Sequence, residues 1–310
     1  MALGAVTAAR LMAAKPNSNF GGVQIGAITY CFRTLPSGGE DVLKYCLDCG
    51  ISAIELMSAT AESYAGAPAA PRGGGGRKGA EKKGGAQQQG GGAELKQWRL
   101  AASMDKYKAF RKMYDDAGVK IYAFKLPPTM AMSDQEYEYI WNVAETLGAN
   151  HITMELPTED ALLQRVADYA AKRKLRIAFH THGQGGASGF DKVLGASKYT
   201  ALNFDVGHYY GVNGESPVPL IEKYHERIAS LHLKDRKGPN GPDGKTGPHG
   251  GGPNMPWGQG ETPLKEILQV MKKRKYKFPG SIEYEYATPE GSDVLTEVKK
   301  CVEYCKNALA

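Results

Sequence analysis

Short apolar segments alternate with amphipathic segments along most of the chain, and the pair repeats eight times. The apolar segments have the length of strands, and the amphipathic ones space their apolar residues as helices do. Strands that alternate with helices form a parallel sheet with crossover helices, and eight such units favour closure into a barrel. The sequence therefore predicts a single (β/α)₈ TIM barrel. The predicted strands are Gln24–Phe32, Ser52–Met57, Lys120–Leu126, His151–Leu156, Leu175–Thr181, Ala201–Val206, Ile228–Lys234 and Gly280–Tyr286.

Two glycine-rich segments interrupt this pattern. Residues 66–93 contain mostly Gly, Ala, Gln and Lys, so we expect a disordered insertion after the second strand. Residues 237–262 are rich in Gly and Pro and follow the seventh strand, at the face where barrel active sites lie. This second segment is predicted to fold over the site as a lid anchored by Trp257. Ordinary loop packing is the alternative for Trp257.

The barrel is expected to occupy residues 22–310, since such a barrel takes about 250 residues and the insertions use the rest. Residues 1–21 form an N-terminal extension that is apolar and rich in small residues. It is interpreted either as the remnant of an export signal, which would place the protein in the periplasm, or as a frayed end of a cytoplasmic protein. No segment is long and apolar enough to predict a membrane span.

Charge and cysteine content add little to this picture. The formal net charge is +6, and much of it lies in Lys272–Lys277 at the end of a predicted helix, where cations complement the helix dipole. We therefore expect a solvated face and no nucleic-acid partner. Five cysteines do not form a disulfide framework. The four on the first and last helices are expected to be buried small residues, with a metal site or a disulfide as the alternative.

Polar and charged side chains are concentrated at the ends of the predicted strands. Such groups are unfavourable within apolar strands unless they are paired, hydrogen-bonded or bound to a metal. The residues are Glu55, Lys125, Glu155, His180, His182, Asp205, His208, His232, Lys234, Asp235, Glu283 and Glu285. Carboxylates mixed with imidazole indicate one divalent metal ion, with Mn²⁺ preferred and Mg²⁺, Co²⁺ or Zn²⁺ as alternatives. A buried hydrogen-bond network without metal is the competing interpretation.

Three sequence segments that carry several of these residues resemble the sugar phosphate isomerase/epimerase family, which has the xylose-isomerase-like barrel. They are Leu202–His208, Ser230–Asp235 and Ser281–Glu285, and the resemblance extends over about residues 22–308 without the insertion.

The resemblance implies that Asp205, His232 and Glu283 are metal ligands. The epimerase branch carries a glutamate in a Glu-Asn-His run at the end of the fifth strand, where this chain has His180-Thr181-His182. Glu155, one strand earlier, is therefore expected to be the fourth ligand, and His180 a further ligand or a base.

A metal ion in this position would polarise a sugar carbonyl and stabilise an enediolate after removal of the neighbouring proton. Return of the proton gives epimerisation or isomerisation, and loss of a substituent gives elimination. The first hypothesis is a metal-dependent sugar isomerase or epimerase. The alternative is a lyase or hydratase acting on a keto-sugar or 3-keto-glycoside, which the histidine pair and the export-signal interpretation favour.

Roles follow from these hypotheses. Glu155, Glu283 and His180 are the predicted catalytic residues, and a small carbohydrate is the expected partner. The predicted substrate-binding residues are Glu55, Lys125, His182, His208, Lys234, Arg236 and Trp257. A structural ion pair of Glu55 with Lys125, or of Lys234 with Asp235, is the alternative for those residues. A DNA repair endonuclease is disfavoured because the early strands lack histidines, whereas a non-catalytic sugar-binding barrel and a homo-oligomer are left open.

Overall fold

A closed barrel of eight parallel strands forms the centre of the molecule, as the sequence predicts. The computed structural model describes residues 15–68, 92–184, 186–239 and 250–310. Strands β1 to β8 pair in chain order and β8 pairs with β1, which closes the barrel. The strands are β1 Val23–Ile28, β2 Ala53–Met57, β3 Lys120–Lys125, β4 His151–Glu155, β5 Arg176–His180, β6 Thr200–Asp205, β7 Ile228–Leu233 and β8 Gly280–Ile282.

Helices connect the strands and pack around the barrel. Eleven are found in the part of the chain that the structure describes. They are α1 Gly39–Asp48, α2 Ser58–Ala65, α3 Ala93–Ala101, α4 Asp105–Ala117, α5 Asp134–Leu147, α6 Asp160–Arg173, α7 Ala187–Gly195, α8 Val206–Asn213, α9 Val218–Tyr224, α10 Leu264–Arg274 and α11 Val294–Ala308. Their apolar faces pack on the outer face of the barrel in one continuous core. No helix within the described ranges has both the length and the apolar character needed to cross a bilayer.

A capping box begins α5. The Ser133 hydroxyl accepts from the backbone N–H of Glu136, and the Glu136 carboxylate accepts from the backbone N–H of Ser133. Gly148 ends the helix at a φ of 75°, a left-handed conformation that favours glycine. Local sequence therefore sets both ends of this helix.

The first and eighth strands are shorter than expected. A 3-10 helix occupies Thr29–Phe32, the second half of the first predicted strand. Strand β8 ends at Ile282, where the Cys31 thiol contacts the backbone. This thiol donates to the Ile282 carbonyl and accepts from the Tyr284 N–H, both at 3.2 Å.

Several predicted segments fall partly outside the described residues. Within the predicted extension, Asn19–Phe20 pairs antiparallel with Val23 and Gln24, while residues 1–14 are not described. Of the glycine-rich insertion only residues 66–68 and 92–93 are described. All five cysteines are buried free thiols, so the disulfide alternative is wrong in this structure.

Candidate functional site

Four buried side chains meet at the C-terminal mouth of the barrel. His180, Asp205, His232 and Glu283 each offer one ligand atom, and these four atoms lie within 4.8 Å of one another. His180 and Asp205 end β5 and β6, His232 is the fifth residue of β7, and Glu283 directly follows β8. The structure thus brings together three of the four predicted ligands, with His180 beside them.

Asp205 has one oxygen engaged and the other turned into this group. Its Oδ1 accepts from the backbone N–H of His208 at 2.7 Å, which makes Asp205 the N-cap of α8. Its Oδ2 is buried and accepts no hydrogen bond of suitable geometry, although Lys234 Nζ lies 3.2 Å away. Burial raises the pKa of Asp205 to about 6, against the opposing charge of Lys234. The cap therefore fixes the orientation of the second oxygen.

His232 lies between two carboxylates and is completely buried. Its Nδ1 is 2.7 Å from Glu283 Oε2, and its Nε2 is 2.7 Å from Glu55 Oε2. Burial alone would lower the pKa of His232, but the charges of Glu55 and Glu283 outweigh it and raise the pKa to about 10. In the absence of another cation, this imidazole is therefore held as an imidazolium.

Lys234 brings a second positive charge to the same carboxylates. Its ammonium lies 3.0 Å from Glu283 Oε2 and 3.2 Å from Asp205 Oδ2, and it donates to Glu285 Oε2 at 2.5 Å. Burial opposes the charged form, but the three carboxylates prevail and raise the pKa of Lys234. The ion pair of Lys234 with Asp235 is wrong, because Lys234 turns into the mouth whereas Asp235 turns into the following loop.

His208 is contacted by a cation at each ring nitrogen. Arg236 Nη1 lies 2.6 Å from its Nδ1, and Lys234 Nζ lies 2.9 Å from its Nε2. A neutral imidazole accepts at one nitrogen only, so only one of these contacts can be a hydrogen bond in a given tautomer. Burial and the two cations lower the pKa of His208 well below its usual range.

A second group of three histidines shares His180 with the first. Ring nitrogens of His180, His182 and His208 also lie within 4.8 Å of one another. Both ring nitrogens of His208, however, face protonated donors, Lys234 Nζ and Arg236 Nη1. An ion bound to either nitrogen would therefore lie next to a positive charge. We therefore consider the group with two carboxylates to be the metal candidate.

Glu155 forms a separate acid–base group nearer to solvent. Its Oε1 accepts from Lys125 Nζ at 3.0 Å, and its Oε2 lies 3.2 Å from His182 Nδ1. The Glu155 side chain is 29% exposed and that of His182 is 21% exposed. Burial opposes the charge on Lys125, but Glu155 and then Glu55 outweigh it and raise the pKa of Lys125. Glu155 is not part of the four-residue group, so its predicted role as a ligand stays a prediction.

Two predicted substrate-binding residues, Glu55 and Arg236, have no exposed surface. Glu55 is engaged by His232 and not by the predicted ion pair with Lys125, whose ammonium donates to Glu155. Arg236 donates to the carbonyls of Gly250 and Gly252 at the base of the predicted lid. In this structure, Glu55 therefore contacts His232, and Arg236 holds the backbone of the loop.

The described part of the predicted lid is tied to the barrel. Asp235 accepts from the backbone N–H groups of Gly258, Gly260 and Thr262. Trp257 packs edge-on against Tyr304 of α11, with ring centroids 5.6 Å apart. This contact matches the loop-packing alternative for Trp257.

Sequence reasoning missed the polar residues beneath the site. Thr153, Asn203 and Ser230 are fully buried on β4, β6 and β7 and join Glu55 in one hydrogen-bond network. Each is a polar residue in the middle of a buried strand, and this was the signal available in the sequence. The contacts of the Cys31 thiol with the Ile282 carbonyl and the Tyr284 N–H, on either side of Glu283, had no signal in the sequence.

The fold and the position of the site define the class of protein. Residues 158–305 match the family model of the xylose isomerase-like TIM barrel. The resemblance drawn from the sequence motifs is confirmed for this part of the chain, which matches the xylose isomerase-like TIM barrel.

The chain matches a short part of a curated dehydratase. Inosose dehydratase of Clostridium botulinum (strain Eklund 17B / Type B) is 35% identical over 78 residues, which are 24% of this chain and 26% of that enzyme. The chain thus matches about a quarter of the length of this curated relative.

Solved structures resemble the chain over most of its length. A sugar phosphate isomerase/epimerase from Parabacteroides distasonis ATCC 8503 has a TM-score of 0.59 and 15% identity, covering 96% of this chain and 97% of its own. The probable 3-DHS dehydratase AsbF from Bacillus anthracis has a TM-score of 0.61 and 14% identity, covering 90% of this chain and 97% of its own. At these identities the likeness shows the fold.

Proposed function

We propose that the chain is a metal-dependent enzyme that moves a proton next to the carbonyl of a small carbohydrate, as an isomerase or epimerase. The observation that carries this proposal is the four-residue group His180, Asp205, His232 and Glu283, buried at the mouth of the barrel. Burying several ionisable side chains together is unfavourable unless a ligand or an opposing charge compensates for the lost solvation. The barrel mouth is also where enzymes of this fold carry out their chemistry.

The residues present fit a divalent metal ion. Among the described residues, Asp205 Oδ2 and His180 Nδ1 are buried atoms without a hydrogen bond of suitable geometry, although Lys234 Nζ lies 3.2 Å from Asp205 Oδ2. Two imidazoles and two carboxylates suit Mn²⁺, Co²⁺ or Zn²⁺ better than Mg²⁺, which prefers oxygen ligands. We infer that His180 is the fourth ligand in place of Glu155. When bound, the ion would supply the positive charge that polarises the carbonyl and stabilises an enediolate.

Glu155 is then free to act as the base. Lys125 holds its Oε1 at 3.0 Å, which fixes the carboxylate near the mouth. The carboxylate takes the proton from the carbon next to the carbonyl, and the electron pair of that C–H bond enters the new C=C bond. As the C=C bond forms, the π pair of the carbonyl moves onto its oxygen. For an isomerisation, the former carbonyl carbon receives the proton, the adjacent hydroxyl gives its proton to that oxygen, and a C=O bond forms at the carbon that was deprotonated. For an epimerisation, a second group must supply a proton on the opposite face, and Glu283 with Lys234 is the candidate pair.

Dehydration is the second candidate, and one observation favours it. His182 Nδ1 lies 3.2 Å from Glu155 Oε2, so a histidine stands beside the base. If His182 protonates a hydroxyl on the next carbon, this C–O bond breaks and water leaves as the C=C bond forms. The inosose dehydratase that matches 78 residues of the chain supports the same reaction class.

Deuterium exchange tests the proposal and separates the two reactions. The protein, stripped of metal and reloaded with Mn²⁺, Co²⁺ or Zn²⁺, is incubated in D₂O with ketohexoses, inososes and 3-keto-glucosides, and products are followed by mass spectrometry and NMR. An isomerase or epimerase incorporates deuterium into an interconverted sugar, whereas a dehydratase releases water and forms an unsaturated ketone. Equal turnover by the stripped protein would contradict metal dependence.

A further inference from the structure

A column of polar side chains runs through the barrel below the candidate metal centre. The interior of such a barrel is ordinarily filled by bulky apolar residues. Here the interior contains instead a chain of hydrogen-bonded side chains, each at most 2% exposed. Its members are His151, Ser230, Asn203, Thr153, Glu55 and His232.

The contacts in this column converge on Glu55. Its Oε1 accepts from the Thr153 hydroxyl at 2.7 Å, and its Oε2 lies 3.2 Å from the Asn203 amide nitrogen. The same Oε2 is 2.7 Å from His232 Nε2. Asn203 is fixed in turn, because its Oδ1 accepts from Ser230 at 3.0 Å and Ser230 meets His151 at 3.1 Å.

The strands depart from regular pairing at two members of the column. The pairing of β2 with β3 shifts between Ile54 and Glu55, and the pairing of β6 with β7 shifts between Leu202 and Asn203. An irregularity of this kind redirects the side chains next to it. The backbone geometry is therefore adapted to turn Glu55 and Asn203 towards each other and towards His232.

Burial of the Glu55 carboxylate is unfavourable because it desolvates the charge, so we expect this carboxylate to have a function. An ionised carboxylate is only an acceptor, so Glu55 and Glu283 each favour a proton on the nitrogen of His232 that they face. Glu283 belongs to the four-residue group that would hold the metal, whereas Glu55 does not, so the proton beside Glu55 is the one that stays when a metal binds. With the proton on Nε2, the lone pair of a neutral His232 lies on Nδ1, the atom next to Glu283. A carboxylate that accepts from the distal nitrogen of a metal-bound histidine fixes its tautomer and increases its basicity.

We propose that Glu55 is the positioning residue of the metal centre: it holds His232 as the Nε2–H tautomer, so that Nδ1 is the ligand atom. This inference rests on the proposed function, since it needs a metal at the four-residue group. Glu55 itself does not contact the substrate, because it is fully buried. The column beneath it keeps its carboxylate in place.

Long-range ¹H–¹⁵N NMR of the Zn²⁺-loaded wild-type protein tests the tautomer directly, because protonated and metal-bound ring nitrogens have different ¹⁵N shifts. A His232→Gln variant assigns the signals. We expect Nε2 of His232 to be protonated and Nδ1 to be metal-bound. Metal on Nε2 overturns the proposal without any need for a Glu55 variant. If the wild-type protein binds no divalent metal in calorimetry, the proposed function fails first.

The Glu55→Gln variant tests the energetic part. Its amide keeps the size of the side chain but loses the charge, and we expect affinity for Zn²⁺ to fall about 10-fold to 100-fold, the usual loss for such a partner. The matched control is Glu62→Gln, which removes a buried carboxylate that binds Arg99 and Tyr139 away from the site. Both variants lose stability, but only Glu55→Gln is expected to lose metal affinity. Equal affinity in the folded Glu55→Gln protein and the wild type overturns the proposal.

Discussion

His180 Nε2 lies 4.0 Å from Asp205 Oδ2, with both side chains buried at the ends of neighbouring strands. The distance is too long for a hydrogen bond. One ion could bind both atoms at about 2.0–2.2 Å each if the two side chains moved slightly closer together or bound it at a wide angle. The proximity of the two atoms supports His180 as the fourth ligand. The side chain at position 180 should then influence which metal the site prefers.

Replacing His180 with glutamate is expected to change which metal the site prefers. An additional carboxylate hardens the ligand set, so affinity for Mg²⁺ and Mn²⁺ should rise relative to Zn²⁺ by about 10-fold or more. Calorimetric titration of the stripped protein with each ion measures the ratio. His180→Gln serves as the control that removes the imidazole without adding charge, and we expect it to weaken binding of every ion. An unchanged preference in His180→Glu would show that His180 is not a ligand.

Removing the charge of Glu155 is expected to affect turnover and not metal binding. In Glu155→Gln the amide keeps a contact with Lys125 but no longer takes a proton, and loss of a general base typically lowers the rate about 10²-fold to 10⁴-fold. Metal affinity should stay within about threefold of the wild type, because Glu155 is outside the four-residue group. Turnover on the substrate found by deuterium exchange and metal calorimetry are measured on the same preparation. A loss of metal binding as large as the loss of rate would restore Glu155 as a ligand.

Strand alternation in the sequence was sufficient to predict the barrel and the strand ends that carry the site. It could not decide between Glu155 and His180, because both end a strand and the stagger of the barrel sets their depth. In the structure Glu155 pairs with His180, and His180 pairs with Asn203, two residues before Asp205. These offsets depend on the register between neighbouring strands. The periodicity along a single strand carries no information about that register.

Glu55 illustrates the same limit. As a charged residue in a strand it was expected to bind substrate or to pair with Lys125. Its position in the middle of Ala53–Met57 indicates a deeper location than a strand end, but its partners come from three other strands. Only the closed barrel brings Thr153, Asn203 and His232 to it.

Releasing Asp235 is expected to loosen the loop over residues 250–262. The Asp235 carboxylate accepts from three backbone N–H groups. Leaving a buried donor unpaired costs about 1–3 kcal/mol, and this applies to the N–H of Thr262, the one buried residue of the three. In Asp235→Ala, hydrogen–deuterium exchange read by mass spectrometry should increase in this loop while the barrel strands keep their protection. Asp293→Ala, which removes the N-cap of α11, is the control and should increase exchange only at that helix. Exchange that rises equally across the barrel would indicate general unfolding.

His151 is expected to make stability depend on pH at the base of the column. Burial lowers its pKa from 6.5 to about 4, so the unfolded chain binds a proton over a range in which the folded protein does not. This contribution to stability is complete above pH 6.5 and is lost as the pH falls from 6.5 to about 4. With each pKa unit equal to about 1.4 kcal/mol, the loss is about 3 kcal/mol.

The His151→Gln variant isolates this contribution, because its amide reaches Ser230 as Nε2 of His151 does but does not titrate in this range. Urea unfolding of the metal-free proteins at pH 7, 6, 5 and 4 gives the free energy of unfolding of each. The wild type should lose about 3 kcal/mol more than His151→Gln between pH 7 and pH 4. Parallel curves for the two proteins would mean that His151 is already protonated in the folded state and that its contact with Ser230 holds a charged ring.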